Sequence, residues 1–186
     1  MPPHGGIERS SRFERCYAAH YQQVAGYVRR RVAPDEADDV VAQIFATAWR
    51  RFDRVPPPPQ DRLWLFGVAR HAVADHRRSL GRRLRLGARL AQEAVSTAPR
   101  GGSSDPWREQ VLAAMDALRP ADREALRLVL WDDLTHAEAA ALLGCSANAF
   151  ELRYRRARTA VRDAVTAART SNPGLNSSAS AMGSAS

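Results

Sequence analysis

"LTHAEAAALLGCSANAFELRYRRARTAVRD", Leu134 to Asp163, decides the fold. Thr135 and Glu138 have the spacing of a capping box, in which a hydroxyl caps the helix start and a carboxylate three residues on reaches back. The small run Ala139–Ala141 lets a second helix approach closely, and Leu142 and Leu143 supply core. Gly144 suits the left-handed position that ends a helix. Ser146 is then the next N-cap. A short capped helix, a glycine turn and a second capped helix form the helix-turn-helix pattern.

The second helix divides cleanly on a helical wheel. Phe150, Tyr154, Ala157 and Val161 fall in one narrow arc and are expected to pack on the first helix. Asn148, Leu152, Arg155 and Thr159 fall opposite, flanked by Glu151 and Arg156. The N-terminal part of such a helix enters the major groove. There an asparagine pairs with adenine, a glutamate accepts from the cytosine amino group, and an apolar side chain touches the thymine methyl. Ser146, Asn148, Glu151 and Leu152 are the expected reading end, with Arg153, Arg155, Arg156 and Arg158 on phosphates or guanine. The bland alternative is a solvated basic helix. Two caps, a turn glycine and a basic helix in register favour DNA reading.

Composition agrees. The 186 residues suit one sizeable domain or two small ones. A net charge of +8 and a pI near 10.8 point to a polyanion, either nucleic acid or an anionic membrane. All 28 basic residues are arginine. The bland reading is a codon-composition bias of the source; in either case the planar guanidinium matches phosphate and guanine edges better than an ammonium. Cys16 and Cys145 are far apart, in no ligand-like spacing, so neither a disulfide framework nor a zinc site is expected. No apolar run approaches the ~18 residues of a membrane span. "MPPHGGIERSS" lacks the apolar core of a signal peptide, and the expected location is cytoplasmic.

The rest of the chain reads as helix. Phe13, Tyr17, Tyr21, Val24 and Val28 predict a helix over 11–31, and Pro34-Asp35 starts another carrying Val40, Val41, Ile44, Phe45, Ala48, Trp49 and Phe52. "VPPPP" (Val55–Pro59) breaks it. A third helix follows, with Leu65, Ala69, Ala72, Val73 and His76 toward a core and Arg70, His71, Ala74, Arg77 and Arg78 on another face. "GRRLRLGARLAQEA" suits either an extension of that helix or a linker, and "STAPRGGSSDP" reads as linker. Trp107, Val111, Met115 and Leu118 carry one further helix, and Pro120 opens the next. The expected architecture is all-α: two small helical domains joined by a flexible linker, the C-terminal one a helix-turn-helix. The expected boundaries are a disordered 1–10, a first domain at 11–80, a linker at 81–106, a second domain at 107–169 and a disordered tail at 170–186. Basic segments on either side of an acidic one suggest two contacts with the anionic partner.

An enzyme reading has one motif, "HAVADH", which places His71, Asp75 and His76 close enough for a metal-dependent hydrolase. The spacing is no zinc signature and lacks a second ligand cluster, and no Gly-rich phosphate loop, nucleophile elbow or paired catalytic acids accompany it. No cofactor or metal is expected.

The opening stretch resembles the promoter-reading region of bacterial extracytoplasmic-function sigma factors, through Ala137–Ala140, Leu143-Gly144 and Arg156–Arg158. "FERCYAAHYQQVAGYVRRR", "ADDVVAQIFATAWRRFD" and "WLFGVARHAVADHRR" resemble, in order, three blocks of the family's other domain. The resemblance implies a protein that binds core RNA polymerase at the clamp and directs it to promoters. The N-terminal domain would take the melting minus-ten element and the C-terminal one the duplex minus-thirty-five element. It implies that Asp38, Asp39 and Gln43 dock on polymerase, where acidic groups complement a basic surface. Helix-start carboxylates are also favoured by the helix dipole alone. It implies that Arg70, His71, Arg77 and Arg78 meet the melting strand and that the loop through "DRVPPPPQDR" captures an unstacked base. It also implies an anti-sigma protein as a further partner.

Three departures from the family stand out. Ala42-Gln43 replaces a usual Gln-Glu pair, His71 replaces a common asparagine, and Glu151 stands where a basic residue is common, which marks it as a specificity determinant. Trp49 and Trp64 sit at helical apolar spacing and are expected in the core rather than as stacking platforms. A free-standing dimeric helix-turn-helix regulator is the competing reading; it accounts for the C-terminal helices and leaves the N-terminal blocks unexplained.

Overall fold

Proline opens three of the described helices, because its missing amide hydrogen falls where a helix has no internal partner for it. Pro34 begins α2 (Pro34–Arg50) and Pro120 begins α5 (Pro120–Leu130). The computed structural model describes residues 4–90 and 106–171. Every regular element among them is helical. The chain divides into two units at Val95/Ser96.

The first unit is a three-helix bundle of α1 (His4–Arg29), α2 and α3 (Gln60–Leu90), with a 3-10 turn at Phe52–Arg54 after α2. Val24, Tyr27, Val28, Ile44, Leu65, Phe66 and Ala69 have almost no exposed surface. Tyr27 meets Phe66 edge-on at 5.5 Å, and the Arg31 guanidinium lies 3.6 Å above the Tyr27 ring. Such aromatic contacts add to the area they bury.

Two boundaries differ from expectation. Residues 4–10 are helical rather than disordered, because tertiary contacts hold that turn. Arg9 lies 4.4 Å over Trp49 and donates to the Trp49 carbonyl at 2.7 Å, while Phe13 stands edge-on to Trp49 and Phe52. At the other end α3 continues past residue 80 to Leu90. Arginine and leucine favour helix strongly enough to carry it through Gly81 and Gly87. The Ser/Gly/Pro stretch read as linker lies outside the described residues, apart from Pro106, which opens α4 (Pro106–Ala117).

The second unit holds α4, α5, α6 (His136–Leu143) and α7 (Ala147–Ser171). Met115, Leu126 and Ala157 form its core, with Val111, Leu118, Tyr154 and Val161 packed around them. Asp133, between α5 and α6, has φ 53, a left-handed position that aspartate tolerates better than most residues. The tail beyond Ser171 lies outside the described residues. No helix among those described is long and apolar enough to cross a membrane.

Candidate nucleic-acid interface

The helix-turn-helix forms from the local signals that its sequence carries. The Glu138 amide donates to the Thr135 hydroxyl at 3.2 Å, and the Thr135 amide donates to the Glu138 carboxylate at 2.8 Å, completing the capping box. Gly144 takes φ 65 and ψ 38, and the Cys145 amide returns to the Ala140 carbonyl at 3.1 Å. A side chain at Gly144 would be strained by that φ although the space around it is open. The Ser146 hydroxyl accepts from the Ala149 amide at 3.2 Å and starts α7.

Helix α7 then presents the predicted two faces. Phe150 and Ala157 are fully buried, and Val165 continues their stripe. Ser146, Asn148, Arg155 and Arg158 are exposed, and Leu152 is 64% exposed. At the N-terminal end of the helix, that exposed apolar side chain is available to the methyl edge of a thymine.

Arg156, expected on DNA, is instead committed within the unit. Its guanidinium makes a bidentate pair with Asp122 of α5, Nε to Oδ2 at 2.9 Å and Nη2 to Oδ1 at 2.6 Å. Asp122 is 4% exposed. The Arg156 hydrogen bonds hold its carboxyl below the usual carboxylate range against the opposing effect of burial. Together with the buried Phe150 and Ala157, this pair holds α7 in the rotation that leaves Arg155 and Leu152 outward. Glu151 is also engaged: an oxygen of its carboxylate lies 2.8 Å from Nδ1 of His136, whose ring packs against Tyr154 and Phe150. Neither Asp122 nor His136 was legible as a site residue, because each meets α7 across a turn or a loop.

In the first unit the expected residues of α3 divide between two strips, since positions seven apart share a face. His71 and Asp75 line a groove of about 460 Å³ between α2 and α3. Gln43, expected on polymerase, lines the same groove, together with Thr47, Arg50 and Arg51, which the sequence reading did not single out. Arg50 donates to the Thr47 hydroxyl at 2.9 Å. The "RR" at the end of α2, about two turns beyond Gln43, was the available signal. Arg78 pairs with Asp75, and Arg77 donates to the Arg31 carbonyl at 3.2 Å. Arg70 is half-buried. On α2, Asp38 and Asp39 are exposed, with Asp38 3.2 Å from Arg29.

His71, Asp75 and His76 do not converge on a point. His76 instead lies 3.1 Å from Glu36 and joins α3 to the start of α2. Trp49 is 37% exposed rather than buried, and Trp64 is half-buried, so neither is a deep core residue.

Comparison with known proteins places both units. The family described as "Sigma-70 region 2" matches residues 16–83, and "Sigma-70, region 4" matches residues 108–161. A probable RNA polymerase sigma-C factor of Mycobacterium bovis is 32% identical over 67% of this chain and 68% of its own. The sigma factor CnrH of Cupriavidus metallidurans is 31% identical over 78% of this chain and 82% of its own. The sigma factor RpoE of Bartonella quintana, solved with the anti-sigma factor NepR, shares the fold at a TM-score of 0.66. It is 23% identical over 83% of this chain and 96% of that one. A match of the first unit independent of the helix-turn-helix removes the basis for a free-standing dimeric regulator. The chain belongs to the extracytoplasmic-function sigma factors, non-enzymatic initiation factors that direct core RNA polymerase to particular promoters.

Proposed function

We propose that α7 reads the minus-thirty-five element as duplex, with Asn148, Glu151 and Leu152 at base edges and Arg153, Arg155 and Arg158 on phosphates. Ser146 caps the helix and its exposed position suits a backbone phosphate. Arg156 leaves this set and acts as a positioning residue through Asp122. The carrying observation is the outward face itself: Leu152 stands in solvent at the N-terminal end of a helix whose opposite face is anchored by the buried Phe150 and Ala157. Such an arrangement costs unfavourable apolar exposure in the free protein and regains it in a groove.

The groove between α2 and α3 is the proposed track for the melted minus-ten strand. His71, Thr47, Arg50 and Arg51 line it, and Arg70, Arg77 and Arg78 add positive charge along α3. Gln43 belongs to this track rather than to the polymerase surface. Asp38 and Asp39, exposed on α2, face the clamp of core polymerase. An anti-sigma protein is the remaining partner that family membership brings. The protein works in the cytoplasm, where polymerase and promoter DNA are.

Run-off transcription with purified core enzyme on a genomic promoter library tests the reading. Initiation at a subset of promoters sharing two spaced elements is expected. Initiation no more selective than that of core enzyme alone contradicts it.

A further inference from the structure

Cys16 and His20 stand one turn apart on α1, and Asp61 lies in the first turn of α3 facing them. The Cys16 thiol, a His20 ring nitrogen and an Asp61 carboxylate oxygen all lie within 4.8 Å of one another. Asp61 is 5% exposed, and its Oδ2 lies 3.0 Å from His20 Nε2. The other ring nitrogen, Nδ1, is enclosed without a hydrogen-bond partner. The ring is therefore not locked in a satisfied network, although an orphaned buried polar atom costs free energy. Cys16 and His20 belong to none of the proposed promoter or polymerase surfaces, and Asp61 stands at the end of the proline-rich loop that the family resemblance assigns to base capture. Asp61 is remote in sequence from the other two, which is why spacing did not reveal the group.

We infer that Cys16, His20 and Asp61 form a three-ligand site for a divalent cation of the zinc class, with a fourth position open to the adjoining cleft. One sulfur, one nitrogen and one oxygen form a borderline-soft set that suits zinc better than magnesium or calcium. Tetrahedral bonds of the usual lengths separate ligand atoms by roughly 3.3–3.6 Å, so side-chain rotation of about an ångström assembles the site. A thiolate and a carboxylate together balance the dication.

The cleft, about 480 Å³ and bordered by Phe52, Val55 and Pro58, supplies an entry path. Two of its arginines are drawn onto aromatic faces, Arg12 over Phe52 at 5.3 Å and Arg62 over Phe66 at 5.5 Å. Arg15 also borders the cleft, and its charge opposes cation entry. Binding breaks the thiol S–H bond, forms a sulfur–metal bond and releases the proton to solvent, with no change of oxidation state. The bound ion ties α1 to the first turn of α3 and so holds the α3 end of the proline-rich loop against α1.

The full chain, stripped with a chelator, is titrated with Zn²⁺ and with Co²⁺. One metal per chain at submicromolar affinity is expected, with a thiolate-to-cobalt charge-transfer band and a raised thermal midpoint. Cys16→Ser abolishes the band, and both it and His20→Gln weaken binding at least about tenfold, while Cys145→Ser changes neither. Cys16→Ser is close to isosteric, which keeps the test readable if His20→Gln folds poorly. Weaker than micromolar binding, a cobalt spectrum without the thiolate band, or a loss that follows Cys145 instead of Cys16 overturns the inference.

Discussion

Two neighbouring arginines on α7 show how the same residue type acquires different roles. Arg155 projects to solvent, and Arg156 is clamped to Asp122. The wheel set Arg156 on the flank of the outward face but could not show its partner, since Asp122 lies on another helix. Arg155→Ala is expected to lower the salt slope of promoter binding by roughly one, the signature of one lost phosphate contact. Arg156→Ala leaves that slope nearly unchanged and lowers the thermal midpoint of the protein. Titration of binding against salt, together with a melting curve for each variant, checks both outcomes. Asp122 gives the pair a pH dependence. Its carboxyl is held below the ordinary value by Arg156. The stabilisation is therefore complete above the unfolded value of about 3.9, and is lost as pH falls through the lower folded value. Asp122→Asn removes this component, so chemical denaturation between neutral pH and pH ~3 shows a shallower acid loss in the variant than in the parent.

At the scale of elements, the sequence was most readable where the determinants are local. The α6–turn–α7 geometry follows from Thr135, Glu138, Gly144 and Ser146, each acting within three or four residues of itself. Thr135→Ala removes the hydroxyl half of the capping box and is expected to cost about 1 kcal/mol. Phe150→Ala, which empties the contact between α6 and α7, costs about 3–5 kcal/mol. Denaturant titration followed by circular dichroism measures both, and a loss at Thr135 as large as that at Phe150 contradicts the assignment. The start of α1 was not readable. Its first turns are held by Arg9 on Trp49 and by Phe13 between Trp49 and Phe52, partners some forty residues away. The end of α3 was ambiguous for a different reason: its Leu/Arg sequence satisfies helix propensity, and its glycines weaken that preference without ending it. The α2–α3 groove was half readable. His71 was singled out by its basic neighbours, whereas Thr47, Arg50 and Arg51 join it only because the two helices pack.

For the whole molecule, two units of one chain carry different parts of one task. Family membership gives the task, and the proposed surfaces would distribute it: acidic Asp38 and Asp39 toward polymerase, a basic groove toward single-stranded DNA, and the outer face of α7 toward duplex. Asp39→Arg reverses a charge on the polymerase-facing helix and is expected to weaken core binding about tenfold or more, read by competition with the unmodified protein. Its thermal midpoint should stay unchanged, since Asp39 is exposed. The central claim is that α7 reads the minus-thirty-five element base by base within the holoenzyme. It is tested most directly by measuring holoenzyme affinity for a promoter in which every minus-thirty-five base pair is replaced in turn, with the parent protein and with Glu151→Gln. Glu151→Gln is predicted to change the preferred base pair at one position while leaving the others and the salt slope intact. An identical preference profile for the two proteins would contradict the assignment of α7 as the reading helix with Glu151 at a base edge.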